Sequence, residues 1–294
     1  MKNKIQGFAS LLLATMIWGS AFVAQSVGMD HVGPFTFQAV RCFLAVIGLL
    51  PIIRLMDRIS GKSSGFFHRW KDRRLWIGGI LCGIPLFLAC NLQQLGIMDT
   101  DAGKSAFLTA MYVVLVPILG LFLKRKPGKY IPLSVVLSVI GLYLLSSAGG
   151  FHFRVPDLLL LGCALMFAVQ IMLVDHFAPG LDALRLNLIQ ALVCAVLSTV
   201  CTLILESPTA ISIWECRLPL AYAGFLSMGA AYSLQILGQK HLEPATASLI
   251  MSLEAVFAAV FGWIILQQAM ALPEIIGSLL ILAAIVAAQL PEKR

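Results

Sequence analysis

Charged residues are scarce in this sequence. Only 12% of its 294 residues are Asp, Glu, Lys or Arg, and 60% are hydrophobic, whereas soluble domains carry roughly 25% charged residues. So little polar surface excludes a solvated globule of this length. The seven cysteines include no C-x-x-C pair and no His/Cys cluster, which leaves a disulfide framework or a zinc site without support. Most lie inside apolar runs and read as small packing residues. The five histidines (31, 68, 152, 176 and 241) fall in loops or at the ends of those runs. None stands with a Ser or Cys at membrane depth, and there is no glycine-rich phosphate loop. Neither hydrolytic chemistry nor ATP turnover is supported. No enzyme activity, cofactor or metal is expected.

What the sequence has in abundance is apolar runs of about 20 residues, the length that crosses a bilayer. Ten are predicted, at roughly 8–27, 34–54, 75–96, 102–123, 130–148, 157–176, 185–205, 217–238, 244–266 and 273–290. The net charge of +7 does not point to nucleic acid, because of where the bases lie. With the N-terminus inside, 17 Lys and Arg residues fall on the inner side, including seven between Arg54 and Arg74. Only Lys104, Arg154 and Arg217 fall outside, and Arg41 lies within a run. That asymmetry is a positive-inside signal. It predicts a multi-pass protein of the cell (plasma) membrane with both termini cytoplasmic, the lipid bilayer as its partner, and a secondary attraction to anionic lipid. Met1-Lys-Asn-Lys before an apolar run, with Gly19-Ser20-Ala21 beyond, also fits a secretory leader. Cleavage there would remove one of ten runs and is not expected. The segment from Arg54 to Arg74 mixes its bases with Phe66, Phe67, Trp70 and Trp76, and reads either as an interfacial element or as a solvated linker with anchors.

The second half echoes the first. Leu92-Gln93-Gln94-Leu95-Gly96 recurs as Leu234-Gln235-Ile236-Leu237-Gly238, the same L-Q-x-L-G pattern 142 positions later. Five crossings per half is odd, so the second half enters the membrane from the opposite face. The expected fold is therefore all-α, with ten transmembrane helices as two inverted five-helix repeats. The repeats are 1–148 and 149–294, meeting at Ala148-Gly149-Gly150. Inverted repeats of this kind are typical of secondary transporters, whose binding site lies between the halves. Small residues four apart, as in Gly79-Ile-Leu-Cys-Gly83, Ala258/Gly262 and Ser134/Ser138, suit close helix approach. Pro85 and Pro117 fall inside runs, where they allow bending.

Polar groups at membrane depth are the candidate site. Glu254 lies next to the midpoint of the ninth run, where a carboxylate costs on the order of 3 kcal/mol. It reads equally as a protonatable or substrate-facing group or as a packing residue bonded to a neighbouring helix. Arg41 is about seven residues into the second run, roughly 10 Å below the outer surface at 1.5 Å per residue. A structural bond to helix-end carbonyls and a gating or anion-attracting role both fit it. Its counterpart in the second half is near Gln190. The uncharged amides, among them Gln25, Asn91, Gln93, Gln94, Gln170 and Gln235, either bond between helices or line a cavity.

Several stretches resemble one family. Ile17-Trp18-Gly19-Ser20-Ala21-Phe22-Val23 is similar to the opening of EamA proteins of the drug/metabolite transporter superfamily. Ser252-Leu253-Glu254-Ala255-Val256-Phe257 resembles that family's S-L-E-P-x-F signature, and Gly277-Ser278-Leu279-Leu280-Ile281-Leu282-Ala283 its closing helix. The resemblance spans nearly the whole chain in two EamA units. Ala255 stands where proline is usual, which removes the family's reason for a helix distortion there. Leu266-Gln267-Gln268 stands where L-G-E is frequent. The resemblance implies ten helices around a central cavity and transport, frequently export, of a small metabolite such as an amino acid or related amphipathic solute, by alternating access. The candidate substrate-binding set is Trp18, Asn91, Gln94, Tyr112, Gln170, Gln235 and Glu254, with Arg41 as a gating or structural charge. Protons are a candidate coupling ion; the alternative is that Glu254 binds a substrate amine. A non-transporting receptor or assembly subunit and a channel are the competing classes. Nothing in the pattern fixes an oligomeric state.

Overall fold

A computed structural model describes residues 2–60, 69–100, 102–125, 128–146, 154–266 and 271–288. Among these every regular element is helical. In chain order they are α1 (Lys2–Gly28), α2 (Pro34–Ile59), α3 (Arg73–Ile97), α4 (Ala102–Ala110), α5 (Tyr112–Phe122), α6 (Ile131–Ser146), α7 (Val155–Phe177) and α8 (Ala183–Leu205). Then follow α9 (Ala210–Glu215), α10 (Arg217–Ala221), a π-helical segment (Tyr222–Ala231), α11 (Tyr232–Gln239), α12 (Pro244–Met251), α13 (Leu253–Leu266) and α14 (Leu272–Ala288). Eight helical stretches are long and apolar enough to cross a membrane, counting α4 with α5, α10 with the π segment and α11, and α12 with α13 as one each. Two more, Ile131–Leu144 and Leu272–Ala288, are apolar but shorter. Large apolar side chains such as Leu13, Ile47, Leu55, Val136 and Leu279 point outward, each a little more than half exposed. With no water to satisfy a backbone in lipid, helices with such surfaces are what a bilayer admits. This is a multi-pass membrane protein.

Local chemistry sets the helix starts. Proline opens α2 and α12, where its missing N–H costs nothing. Asp72 caps α3 by accepting from the Arg74 N–H at 2.8 Å, and Asp182 caps α8 by accepting from the Arg185 N–H at 3.0 Å. The predicted break at 148–150 and residues 61–68, which include Phe66 and Phe67, lie outside the described residues, as do Gln267 and Gln268. At the described end of the 54–74 segment, α2 runs five residues past the expected stop. Trp70 is tucked over the Arg185 guanidinium, 5.4 Å from it, and accepts a bond from the Trp76 indole through its backbone carbonyl at 2.6 Å.

The helices pack in matched pairs. α3 lies on α7 and α8, α2 on α8 and the π segment, α1 on α11, the π segment and α13, and α6 on α14. Glycines permit the closest approaches. A Cβ at Gly79 would stand 2.4 Å from Ile189 Cγ2 and one at Gly83 2.7 Å from Val193 Cβ, so the G-x-x-x-G face of α3 is the seat of α8. Between α6 and α14, a Cβ at Gly141 would meet the Gly277 carbonyl oxygen at 2.6 Å.

Two spans are broken within one residue of matching places, 141 positions apart. The fourth is interrupted at Met111 and the ninth at Ser252. The ninth therefore carries a distortion although Ala255 replaces proline, which corrects the expectation drawn from that replacement. The Ser252 hydroxyl donates to the Leu249 carbonyl at 2.7 Å, and the Ala255 N–H reaches back only three residues, to the Ser252 carbonyl at 3.2 Å. A serine that bonds its own helix backbone weakens the local helix and often bends it. In the eighth span the π segment leaves carbonyls without ideal partners, and Asn187 of α8 supplies them. Its Nδ2 donates to the Met228 and Gly229 carbonyls at 3.0 and 2.9 Å and to Ser233 Oγ at 2.9 Å. Wide turns of this type often mark functional sites in helices.

Candidate functional site

The helix breaks and the π segment converge on one interior cavity. It is lined by Trp18, Phe22 and Gln25 of α1, Arg41 of α2, Gln93 of α3 and Tyr112 at the start of α5. The opposite wall is Phe167 and Ile171 of α7, Ser227 of the π segment, Tyr232 and Gln235 of α11, Met251 of α12 and Glu254 of α13. Its free volume is about 30 Å³, space for roughly two waters. The walls are therefore close together, and nothing much larger than water fits unless they part.

Aromatic rings form the sides. Trp18 meets Tyr232 edge-on with centroids 5.0 Å apart, and Tyr112 meets Phe167 edge-on at 6.4 Å. The Tyr112 hydroxyl donates to Glu254 Oε1 at 2.9 Å. The two residues are separated by 142 positions, the offset of the L-Q-x-L-G patterns. Glu254 is 6% exposed, and no cation of the described residues lies within ion-pair distance of it. Arg41 is 2% exposed. Its Nη1 donates to Gln25 Oε1 at 2.9 Å, and its Nε has no partner. Among the described residues it too lacks an oppositely charged neighbour. One cavity thus holds an acid and a base that do not pair with each other. Trp18 Nε1 and Gln235 Oε1 are likewise buried and unbonded.

Of the eight residues singled out from the sequence, the cavity brings together Trp18, Arg41, Tyr112, Gln235 and Glu254. Three stand behind its walls. Asn91 donates to the Phe87 carbonyl at 2.8 Å and to Ser198 Oγ of α8 at 3.0 Å. Gln94 donates to the backbone carbonyl of Gln25 at 3.3 Å, steadying the residue that holds Arg41. Gln170 is a link in a buried amide chain. Gln235 donates to it at 3.0 Å, it donates to Gln190 at 3.3 Å, and Gln190 donates to Asn187 at 2.9 Å. This chain ties α11, α7 and α8 together and fixes the rotamer of Gln235. Phe22, Gln25, Gln93, Phe167, Ile171, Ser227, Tyr232 and Met251 complete the lining. For Gln93 the sequence held a signal, because the L-Q-x-L-G pattern aligns Gln93, and not Gln94, with Gln235. For Phe167 there was a fainter one, because it follows Trp18 by 149 positions, the offset between Arg41 and Gln190.

Ion pairs close the ends of the bundle. At the end bearing the basic loops, Asp57 of α2 accepts from Arg185 of α8 and, at 3.1 Å, from Arg69. Arg185 also pairs with Asp182 at 3.0 Å. At the other end Lys104 of α4 meets Asp157 of α7 at 2.7 Å, and Glu206 accepts from the Phe35 and Thr36 N–H groups at 2.9 and 2.8 Å. Asp57 and Arg185 each lie 149 positions from Glu206 and Thr36 respectively, so the two α2–α8 latches occupy corresponding positions in the two halves.

The sequence matches the EamA-like transporter family over residues 5–147 and again over 154–288. The chain belongs to the EamA-like transporter family. It is 30% identical over 277 residues to an uncharacterized transporter of Archaeoglobus fulgidus, covering 94% of this chain and 83% of that one. It is 23% identical to the uncharacterized transporter YoaV of Bacillus subtilis, with 94% of each chain covered. A solved crystal structure shares the fold at a TM-score of 0.70 and 17% identity, covering 94% of this chain and 96% of the other. The two family matches agree with the doubling read from L-Q-x-L-G, and they place the cavity residues in both EamA units.

Proposed function

We propose that this EamA protein is a secondary carrier that exports a small amphipathic metabolite, of amino-acid or related type, across the cell membrane by alternating access. Its ten spans form two inverted repeats, and both termini face the cytoplasm. The observation that carries the reading is the hydrogen bond between Tyr112 and Glu254, residues at equivalent positions of the two halves. Equivalent residues of a two-fold arrangement touch only on its axis. The contact of Cys90 with Tyr232, also 142 apart, falls on that axis too. The cavity therefore sits where the halves can rock against each other, and its small volume suits a closed state. Trp18, Tyr112, Gln235 and Glu254 contact the solute, Gln93 joins them, and Asn91, Gln94 and Gln170 hold the walls.

Counterflow of labelled solutes in proteoliposomes tests the carrier reading, because exchange without net flux marks a carrier and not a channel or receptor. Glu254 is desolvated, and beyond the Tyr112 hydroxyl it has no counter-charge among the described residues. Taking up a proton and binding a cationic group of the solute are the two ways to relieve that cost. Proton coupling predicts that Glu254→Gln retains counterflow but loses its response to an imposed pH gradient. Undiminished gradient-driven flux in the variant would leave Glu254 a packing role. Orientation is checked separately. A reporter fused after Arg294 is expected to be active on the cytoplasmic side, and external activity would sink the ten-span topology.

A further inference from the structure

The charge that the cavity leaves unanswered is that of Arg41. Burying a guanidinium without a counter-charge is among the costliest arrangements a protein can hold, and here it is held by design of the surroundings. The groups packed around it are Cys42, Cys90, Cys194 and Tyr232, and thiols are weak acceptors. Its bonds run to Gln25 Oε1 and to the Cys90 thiol, both uncharged, and leave Nε idle. The ring of Phe37, 5.8 Å away, holds the guanidinium plane. On the same cavity wall Trp18 presents a second buried, idle donor at Nε1. Two unused donors, one of them charged, with no acid of the described residues within ion-pair distance of Arg41, suit an anion with two acceptor atoms. A planar carboxylate fits the guanidinium fork.

We infer that Arg41, positioned by Gln25 and aided by Trp18, is the binding site for a carboxylate group of the transported solute. The inference rests on the carrier reading above and narrows it to carboxylate-bearing solutes whose apolar part lies against the rings of Trp18, Tyr112, Phe167 and Tyr232. Arg41 is then a ligand-binding residue and not a structural strut or a gate. The energetic consequence is testable without transport. A strut stabilises the empty protein, whereas an unanswered charge burdens it until the ligand arrives.

The experiment uses the purified full-length protein in detergent and in proteoliposomes, with phenylacetate, phenylacetamide and phenethylamine as probes that differ only in the polar group. Wild type is expected to gain thermal stability with phenylacetate and not with the other two. In Arg41→Met the phenylacetate Kd is expected to rise at least ~30-fold, the scale for truncating one partner of a buried charge pair. Arg41→Lys keeps charge but loses the fork and is expected to fall between. The empty Arg41→Met protein is expected to melt at or above the wild-type temperature, because removing an unpaired buried charge is neutral or stabilising. Equal stabilisation by all three probes, or undiminished phenylacetate binding in Arg41→Met, overturns the carboxylate site. So does a large loss of stability in the empty Arg41→Met protein, which would make the residue a strut. Each of these leaves the carrier reading intact if wild type performs counterflow of any solute in a metabolite panel. Absence of counterflow for every solute tested overturns the carrier reading, and the inference with it.

Discussion

Replacing Asp57 by Ala is expected to destabilise the folded protein by about 3–5 kcal/mol, the usual cost of breaking a buried ion pair from one side. Arg185 is 1% exposed and its guanidinium is clamped between Asp57 and the Trp70 ring. Without Asp57 the ion pair with Asp182 persists, but the Asp182 side chain is 37% exposed and so screened by solvent. Thermal unfolding of the purified variant, or its yield in membranes, reports the loss. The double variant Asp57→Leu with Arg185→Met is expected to recover most of it, since apolar residues of similar volume replace buried ion pairs at little cost. A single variant as stable as wild type, or a double variant no better than the single, would show that the pair does not hold α2 to α8. The corresponding latch at the opposite end is of another kind. There Glu206 caps the start of α2 through backbone N–H groups, an arrangement worth about 1 kcal/mol.

The second large effect is expected at Gly19. A Cβ there would lie 2.4 Å from Phe257 Cβ and 2.8 Å from the Ala258 nitrogen, so it meets the backbone of α13 and not a flexible tip. Helix propensity favours Gly19→Ala by up to ~1 kcal/mol. Overpacking costs about 1–3 kcal/mol and more where backbone cannot yield. The steric cost wins, and Gly19→Val is expected to be worse than Gly19→Ala. The displacement of α1 from α13 also separates Trp18 from Glu254, so counterflow is expected to fall with stability. Gly162 is the control. Its Cβ would meet Leu92 Cδ1 at an ordinary 3.5 Å, and Gly162→Ala is expected to be neutral or stabilising. Equal behaviour of the two alanine variants would refute the close contact.

The sequence by itself determined the apolar spans, the doubling of the chain and the family. These depend on how many consecutive residues avoid water, on which the bilayer is strict, and on motifs such as L-Q-x-L-G and S-L-E that survive as strings. It also matched Tyr112 to Glu254, because a repeat offset is arithmetic. Only the tertiary structure decided which way each helix is turned. Both lipid and protein interior are apolar, so hydrophobic pattern does not mark the inward face of a span as it does in water. Gln93 and Gln94 are adjacent and chemically identical, yet one lines the cavity and the other props Gln25. Phe22, Phe167, Ile171 and Met251 line it too, and nothing in an apolar residue separates a cavity wall from a lipid-facing surface. Arg185 pairs with Asp57, 128 residues away, a contact fixed by the packing of α2 on α8. The interruption at Ser252 coincides with a side-chain bond to the Leu249 carbonyl, which the loss of a proline does not reveal. That Arg41 meets Gln25 and no acid of the described residues is likewise a property of the assembled bundle, since packing alone sets its neighbours.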